Sequence, residues 1–221
     1  MPRPIHAPSF HPPATRRRML TAGAAVLAAT TAPAWLGPAR AQGRRLQPTP
    51  SQTEGPFYPV ALPVDSDFDL LRNGSLNYQR GQPAWVDGTV VDTAGTPVSG
   101  AVVEIWQCDH AGHYHHPGDN GDRADPAFQG FGRVTVGADG RYRFRTLRPV
   151  AYSGRTPHIH VKVRLAGQEL LTTQLYVAGD AGNARDFLWR GLNEAGRAAL
   201  TVPFTPGADG LSAHFPLIVQ A

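Results

Sequence analysis

Among 221 residues there is one cysteine, Cys108, so no intrachain disulfide can form and the fold has to rest on a packed core. Lysine is almost as scarce, with Lys162 the only one. No uninterrupted apolar stretch is long enough for a membrane-spanning helix, since the stretch from Ala22 to Leu36 is broken by Pro33 and by Thr21, Gly23, Thr30 and Thr31 around it. The formal net charge of +4 and a pI near 9.6 suggest a basic protein. That excess sits in residues 1–41, where Arg3, Arg16, Arg17, Arg18 and Arg40 meet no acid; removing these five of the 21 basic residues leaves 16 against 17 acidic. Without a basic run in the body, a nucleic-acid binder that tracks phosphates is excluded.

The first 41 residues read instead as an export signal. "TRRRML" (15–20) carries a twin arginine, a small-residue stretch follows, and Ala39-Arg40-Ala41 fits the small-x-small cleavage pattern, so the mature chain is expected to start at Gln42. A retained membrane anchor is the competing interpretation, and the interruptions above count against a stable span. The twin-arginine route carries folded proteins, which suits a cofactor inserted before export to the periplasm or beyond.

Residues 42–83 are rich in proline, aspartate and polar side chains, with "TEGPFYP" (53–59) as a compact turn-forming element, and are expected to form an extended arm. From residue 84 to 221 short strand patterns alternate with turn signals: "AWVDGTVVD" (84–92), "SGAVVEIWQCD" (99–109), "GRVTV" (132–136), "RYRFRTL" (141–147), "HIHVKVRL" (158–165), "QELLTTQLYV" (168–177) and "LSAHFPLIVQ" (211–220). Ala166-Gly167 marks a hairpin, Pro216 favours an edge position, and residues 182–200 carry one or two helical turns. The expectation is an all-β antiparallel sandwich with long loops and little helix.

"GRTPHIHVKV" (154–163) poses the functional question. In an extended chain His158, His160 and Lys162 share one face while Ile159, Val161 and Val163 share the other. A strand with so clear a core face has no obvious need of two imidazoles. Alone, the pair is as compatible with satisfied core histidines as with a site. Two tyrosines change the balance, Tyr114 in "HAGHYHHPGD" and Tyr152 in "RPVAYSGRTPH", both in loops leaving strands, where site residues are commonly mounted.

Together with "TEGPFYP", the segment 88–107, "FQGFGRVTVGADGRYRFRTLRPVAY" and "TTQLYV", these motifs run in order over residues 53–177 and resemble the intradiol ring-cleaving dioxygenases. The resemblance implies a non-haem Fe(III) held by Tyr114, Tyr152, His158 and His160, with Arg155 and Gln174 facing a catechol-type substrate that is cleaved by O2 to a muconate-type diacid; Gln174 reads equally well as a strand residue bonding a neighbour. It assigns Tyr152 as the axial ligand that leaves on substrate binding and Tyr114 as the equatorial ligand that stays. It also gives Arg155 the task of stabilising negative charge that develops on the ring.

The residue types suit that chemistry. A phenol titrates near 10, so binding as phenolate at neutral pH needs a strongly Lewis-acidic centre. Hard anionic oxygen plus imidazole matches ferric iron, whereas zinc sites draw on Cys, His and carboxylate. Two phenolates and a hydroxide also cancel a 3+ charge, so no net charge is buried.

Some features depart from the family pattern. "RPVAY" has no glycine before its tyrosine, and no segment of these residues reads as the helical N-terminal domain of catechol-type members. His110, His113, His115 and His116 crowd the first tyrosine loop, and a solvated loop is the simplest account of them. Two other functions compete: a non-catalytic sandwich module like the transthyretin-like and carboxypeptidase-regulatory domains, and a metal buffer built on "HAGHYHH". The arm at 42–83 leaves association into a homo-oligomer open.

Overall fold

A computed structural model describes residues 45–119 and 123–221, so the leader expected at 1–41 lies outside the described residues. Strands form where the sequence alternates. In chain order they are β1 (Arg72–Asn73), β2 (Leu76–Asn77), β3 (Pro83–Asp92), β4 (Val102–Trp106), β5 (Phe131–Thr135), β6 (Arg141–Leu147), β7 (His158–Leu165) and β8 (Gln168–Val177). Two short helices follow, α1 (Phe187–Gly191) and α2 (Glu194–Leu200), then β9 (Thr201–Val202), β10 (Thr205–Gly207), β11 (Gly210–His214) and β12 (Leu217–Val219). Asp186 caps α1 by accepting from the amides of Leu188 and Trp189, and Asn193 caps α2 by accepting from that of Gly196.

Two five-stranded sheets make the sandwich. One has the order β10-β11-β3-β12 with β6 on the other edge of β3, and the second runs β5-β4-β7-β8-β9. Between them lies a single core to which Val86, Val90, Phe144 and Leu217 contribute from the first sheet and Val103, Ile105, Ile159, Val161, Val163 and Leu175 from the second. Each such side chain, fully withdrawn from water, contributes about 1.5–3 kcal/mol. The expected sandwich is present, and its pairing is antiparallel except where β11 and β12 join β3 and where β9 joins β8, which are parallel.

The segment expected as one last strand is split in two by Phe215 and Pro216, and both halves lie in tandem along one edge of β3. The break lets the Phe215 carbonyl turn inward, where it accepts from the Tyr142 hydroxyl. That carbonyl packs so tightly on Gly88 that a Cβ there would overlap it. At the β7–β8 hairpin, Ala166 and Gly167 both have positive φ, at 48° and 82°, the primed turn whose twist matches the flanking strands.

The arm is stitched to the body by its backbone: the amides of Leu46, Thr49 and Gln52 donate to the carbonyls of Thr93, Ile218 and Thr172. Its later part is less an arm than a piece of the body, because Leu70, Leu71 and Tyr78 enter the core.

Candidate metal centre

Strand register explains the paired imidazoles. His160 lies opposite Gln174 on β8 and Trp106 on β4, and Trp106 lies opposite Phe131 on β5. Directly opposed residues point the same way, so these four form a row across the outer face of the second sheet. His158 starts the next row with Tyr176, and Lys162 shares a third with Glu104 and Thr172. Ile159, Val161 and Val163 meanwhile enter the core. Both faces of β7 are therefore buried, the outer one beneath the arm and two loops.

Those loops bring the tyrosines. In the first, Asp109 is buried and its Oδ1 accepts from the amides of Ala111 at 2.8 Å and His113 at 3.0 Å, while Asp119 Oδ2 accepts from the amide of Tyr114 at 2.7 Å. In the second, the amide of Arg155 donates to the Tyr152 carbonyl at 2.7 Å across a left-handed turn at Ser153 (φ 41°) and Gly154 (φ 78°). The glycine missing before Tyr152 is thus not needed there, because the chain reverses just after the tyrosine.

The four side chains converge. Ring centroids are 5.0 Å apart for Tyr114–Tyr152, 5.4 Å for Tyr152–His158, 4.8 Å for His158–His160 and 6.2 Å for Tyr114–His160. Tyr114, His158 and His160 are almost wholly buried, and Tyr152 is 8% exposed at the mouth of a cleft of about 530 Å³ that also contains Arg155 and Arg185.

Whether this set fits a metal ion is decided by its donor atoms. His158 Nδ1 stands 2.6 Å from the Thr156 carbonyl, which can only accept, so the proton is on Nδ1 and Nε2 offers a lone pair. His158 Nε2 and His160 Nε2 face each other at 3.2 Å. Two nitrogens each ~2.1 Å from a common ion at a right angle stand about 3 Å apart, so the spacing suits adjacent ligands of one ion. Burial, followed by the Arg155 charge, lowers His158 to about 4, and burial with His158 and Arg155 holds His160 well below its usual range, so both imidazoles stay neutral. Burial pushes both phenols up, Tyr114 most strongly, and the Tyr114 hydroxyl has no hydrogen-bond partner among the described residues. A hydroxyl left unpartnered in so closed a site is costly unless something positive receives it. Cys108 lies beside both tyrosines, but burial lifts its thiol to about 12, so it offers no thiolate.

Arg155 is held rather than free. Its Nε donates to Asp186 Oδ2 at 2.6 Å and an Nη donates to Gln174 Oε1 at 2.7 Å. Gln174, which the sequence left as either a substrate-facing residue or a strand residue bonding a neighbour, has its amide engaged inside the protein, accepting from Arg155 and donating to the Thr53 carbonyl at 3.1 Å. It thereby ties Arg155 to the arm. Asp186, buried and accepting also from the Thr156 amide at 3.1 Å, was not picked out by sequence because nothing local distinguishes it from an ordinary helix cap.

Lys162 extends the imidazole face into an anchor for the arm. Its ammonium pairs with Glu54 and with Glu169 at 3.2 Å and sits 4.1 Å from the Tyr58 ring centroid, while the Tyr58 hydroxyl donates to Glu104 at 2.9 Å. With residues 54 and 58 held, Gly55 packs on His160 and Phe57 on Tyr114, 4.8 Å between centroids. Two of the four loop histidines have partners of their own: His115 Nε2 lies 2.6 Å from the Phe128 carbonyl, and His116 Nδ1 accepts from the Gly118 amide at 3.0 Å. Among the described residues no three His, Cys, Asp or Glu side chains are grouped to hold a metal ion, which gives a loop metal buffer no support.

Comparison with known proteins adds an independent line. A family model described as "Dioxygenase" matches residues 53–204. The protocatechuate 3,4-dioxygenase beta chain of Burkholderia cepacia is 36% identical over 168 residues, 70% of this chain and 72% of that one. Catechol 1,2-dioxygenase 1 of Acinetobacter lwoffii is 32% identical over 183 residues, 73% of this chain but only 55% of the relative, so the chain spans about half of that enzyme's length. Among solved structures, the dioxygenase domain of a dioxygenase and carbohydrate-binding fusion from Streptomyces sp. SirexAA-E superposes with a TM-score of 0.62 at 32% identity, covering 79% of this chain and 99% of that domain.

Proposed function

The chain belongs to the intradiol ring-cleavage dioxygenases, and from that premise we propose that Tyr114, Tyr152, His158 and His160 hold one non-haem ferric ion at which a catechol-type ring is opened by O2 between its two hydroxylated carbons, giving a muconate-type diacid. The observation that carries the proposal is the convergence of His158 Nε2 and His160 Nε2, 3.2 Å apart, beside two buried phenols, one of them unpartnered. When bound, ferric iron would supply Lewis acidity, chelation of the diol and an electronic path between ring and O2.

The protein's own groups supply positioning and proton traffic. Thr156 fixes the His158 tautomer, and Trp106, stacked on His160 at 4.8 Å and 9°, fixes its ring plane. Tyr152, at the cleft mouth, is the phenol able to swing away and take one catechol proton on its Oη. Tyr114 is sealed by Phe57 and stays. Arg155, aimed by Asp186 and Gln174, sets a positive charge where the ring accumulates electron density. A non-catalytic sandwich module is not favoured, since it needs neither the converging imidazole pair nor the held arginine.

The test is the visible spectrum of iron-loaded protein before and after anaerobic addition of catechol, followed by O2 uptake. A phenolate-to-iron charge-transfer band that shifts with catechol and weakens in Tyr114→Phe supports the proposal; a colourless iron-loaded protein overturns it. We also propose export by the twin-arginine route, on the strength of "TRRRML" and Ala39-Arg40-Ala41. N-terminal sequencing of the exported protein should then give Gln42 first.

A further inference from the structure

The cleft that opens at Tyr152 is larger than a catechol ring requires. Its volume of about 530 Å³ lies in the range that holds drug-sized ligands, so a bare ring leaves a good part of it to water. Charges along its wall come in pairs except for one. Arg155 is held by Asp186, and Asp180 lies 4.0 Å from Arg148. Arg185, exposed to solvent on the same wall, has no ion-pair or hydrogen-bond partner for its side chain among the described residues. A solvated arginine is ordinary on a surface, but this one is mounted on fixed backbone. Two residues before it, buried Asn183 accepts from the Thr156 hydroxyl at 2.7 Å and donates to the Val177 carbonyl at 2.8 Å. One residue after it, Asp186 turns inward to hold Arg155. The next side chain, Phe187, is 69% exposed, with its ring centroid 5.5 Å from the Arg155 guanidinium carbon.

We propose that residues 185–187 form an outer subsite, in which Arg185 pairs with a carboxylate and Phe187 packs on the apolar link that joins this carboxylate to the catechol ring. The substrate class is then a catechol whose side chain ends in an acid, of the dihydroxycinnamate type. Arg185 offers a planar fork of donors that fits a carboxylate, and Phe187 offers a flat apolar face that fits an alkene or a short hydrocarbon chain. The inference rests on the catalytic proposal, which puts the diol at the inner end of the cleft, where Tyr152 is 8% exposed and the Arg155 side chain 12%. A carboxylate borne directly on the ring would stay at that inner end, whereas Arg185 stands at the solvent end, so the acid has to be carried beyond the ring. A cationic side chain is disfavoured, because it meets the Arg185 charge while Asp180 is already paired. Asp186 couples the two ends: the same carboxylate that aims Arg155 inward fixes the backbone from which Arg185 and Phe187 point outward.

The experiment is an anaerobic titration of the iron-loaded full chain with catechol, 3,4-dihydroxycinnamate and its methyl ester, followed through the charge-transfer band. The ester resembles the acid in shape but carries no charge. The acid should bind about fivefold more tightly than the ester, the size of an exposed ion pair, and the ratio should fall below about twofold in Arg185→Gln. Phe187→Ala should weaken acid and ester alike, by about threefold relative to catechol. The inference is overturned if acid and ester bind equally to the parent chain, if their difference survives Arg185→Gln, or if Phe187→Ala leaves both unchanged relative to catechol. It is overturned as well if 3,4-dihydroxybenzoate depends on Arg185 as strongly as the longer acid does. The acid–ester comparison on the parent chain needs no variant, so the test stays decisive should a variant not fold. A colourless iron-loaded protein overturns the catalytic proposal alone, and the metal-free chain then decides this one. There the amide resonances of residues 185–187 should respond to the acid at concentrations where the ester leaves them unmoved; an equal response, or none, overturns the inference.

Discussion

Replacing Asp186 by alanine should be among the most damaging single changes available outside the core. Its carboxylate is wholly buried and accepts from Arg155 Nε at 2.6 Å, from the Thr156 amide at 3.1 Å and from the amides of Leu188 and Trp189 at 3.0 Å each. Truncation leaves the Arg155 guanidinium, only 12% exposed, without its anion, a loss of about 3–5 kcal/mol. It also removes an N-cap worth about 1 kcal/mol. A total near 5 kcal/mol would lower the melting temperature by roughly 10–20 °C in a domain of this size. Asp186→Asn keeps a capping oxygen but not the charge and should cost about half as much. Asn193→Ala removes a cap of the same kind from α2, where Asn193 Oδ1 accepts from Gly196 at 2.7 Å, and has no ion pair to lose, so it should cost about 1 kcal/mol. Urea unfolding of the three metal-free variants measures the differences. If Asp186→Ala costs no more than Asn193→Ala, the buried ion pair is not what holds this corner, and the reasoning fails. The same group predicts the acid limb. Burial acts to raise the Asp186 pKa, but Arg155 and the amides of Trp189 and Thr156 outweigh it and the net shift is downward. A carboxylate depressed in the folded state contributes stability above its unfolded value of about 3.9 and loses it as pH falls through its lower folded value. Asp186→Asn should therefore flatten the stability profile below about pH 4.

Gly88→Ala should cost at least ~3 kcal/mol, because the added methyl meets the Phe215 backbone rather than a movable side chain; a melting temperature within a few degrees of the parent would contradict this. Lys162→Met should free the arm, costing about 2 kcal/mol since both carboxylate partners are nearly half exposed, and hydrogen exchange over residues 49–58 should quicken; unchanged exchange would show that the backbone bonds alone hold the arm. Tyr142→Phe strands the buried Phe215 carbonyl and should destabilise by about 1–2 kcal/mol in thermal melts, with the catalytic spectrum unaltered.

Some of this was legible in the chain itself. The strands β6, β7 and β8 begin and end where the sequence patterns do; in β6 the period-two alternation marks a half-buried strand directly, whereas β7 and most of β8 are buried on both faces. The division of β7 into a core face and an imidazole face follows from the pleat alone. The residue types at Tyr114, Tyr152, His158 and His160 could likewise be singled out, since two histidines at alternate positions and tyrosines in loops are visible without coordinates. Other features needed the fold. The parallel docking of β11 and β12 on β3 depends on where the chain returns after β10, and nothing in "LSAHFPLIVQ" encodes its neighbour. Asp186 looks like a helix cap in sequence and becomes the partner of Arg155 only when residues 31 positions apart are brought into contact. Gln174 reads equally as a substrate contact and as a strand residue bonding a neighbour, and only the fold shows that it lies opposite His160 with its amide bonded to Arg155 and Thr53. Lys162, the only lysine, gains its role as an anchor because folding lays Glu54 across β7 from 108 residues away. Local pattern decides which way a side chain points. What it meets there is decided by contacts between distant parts of the chain, and these exist only in the folded state.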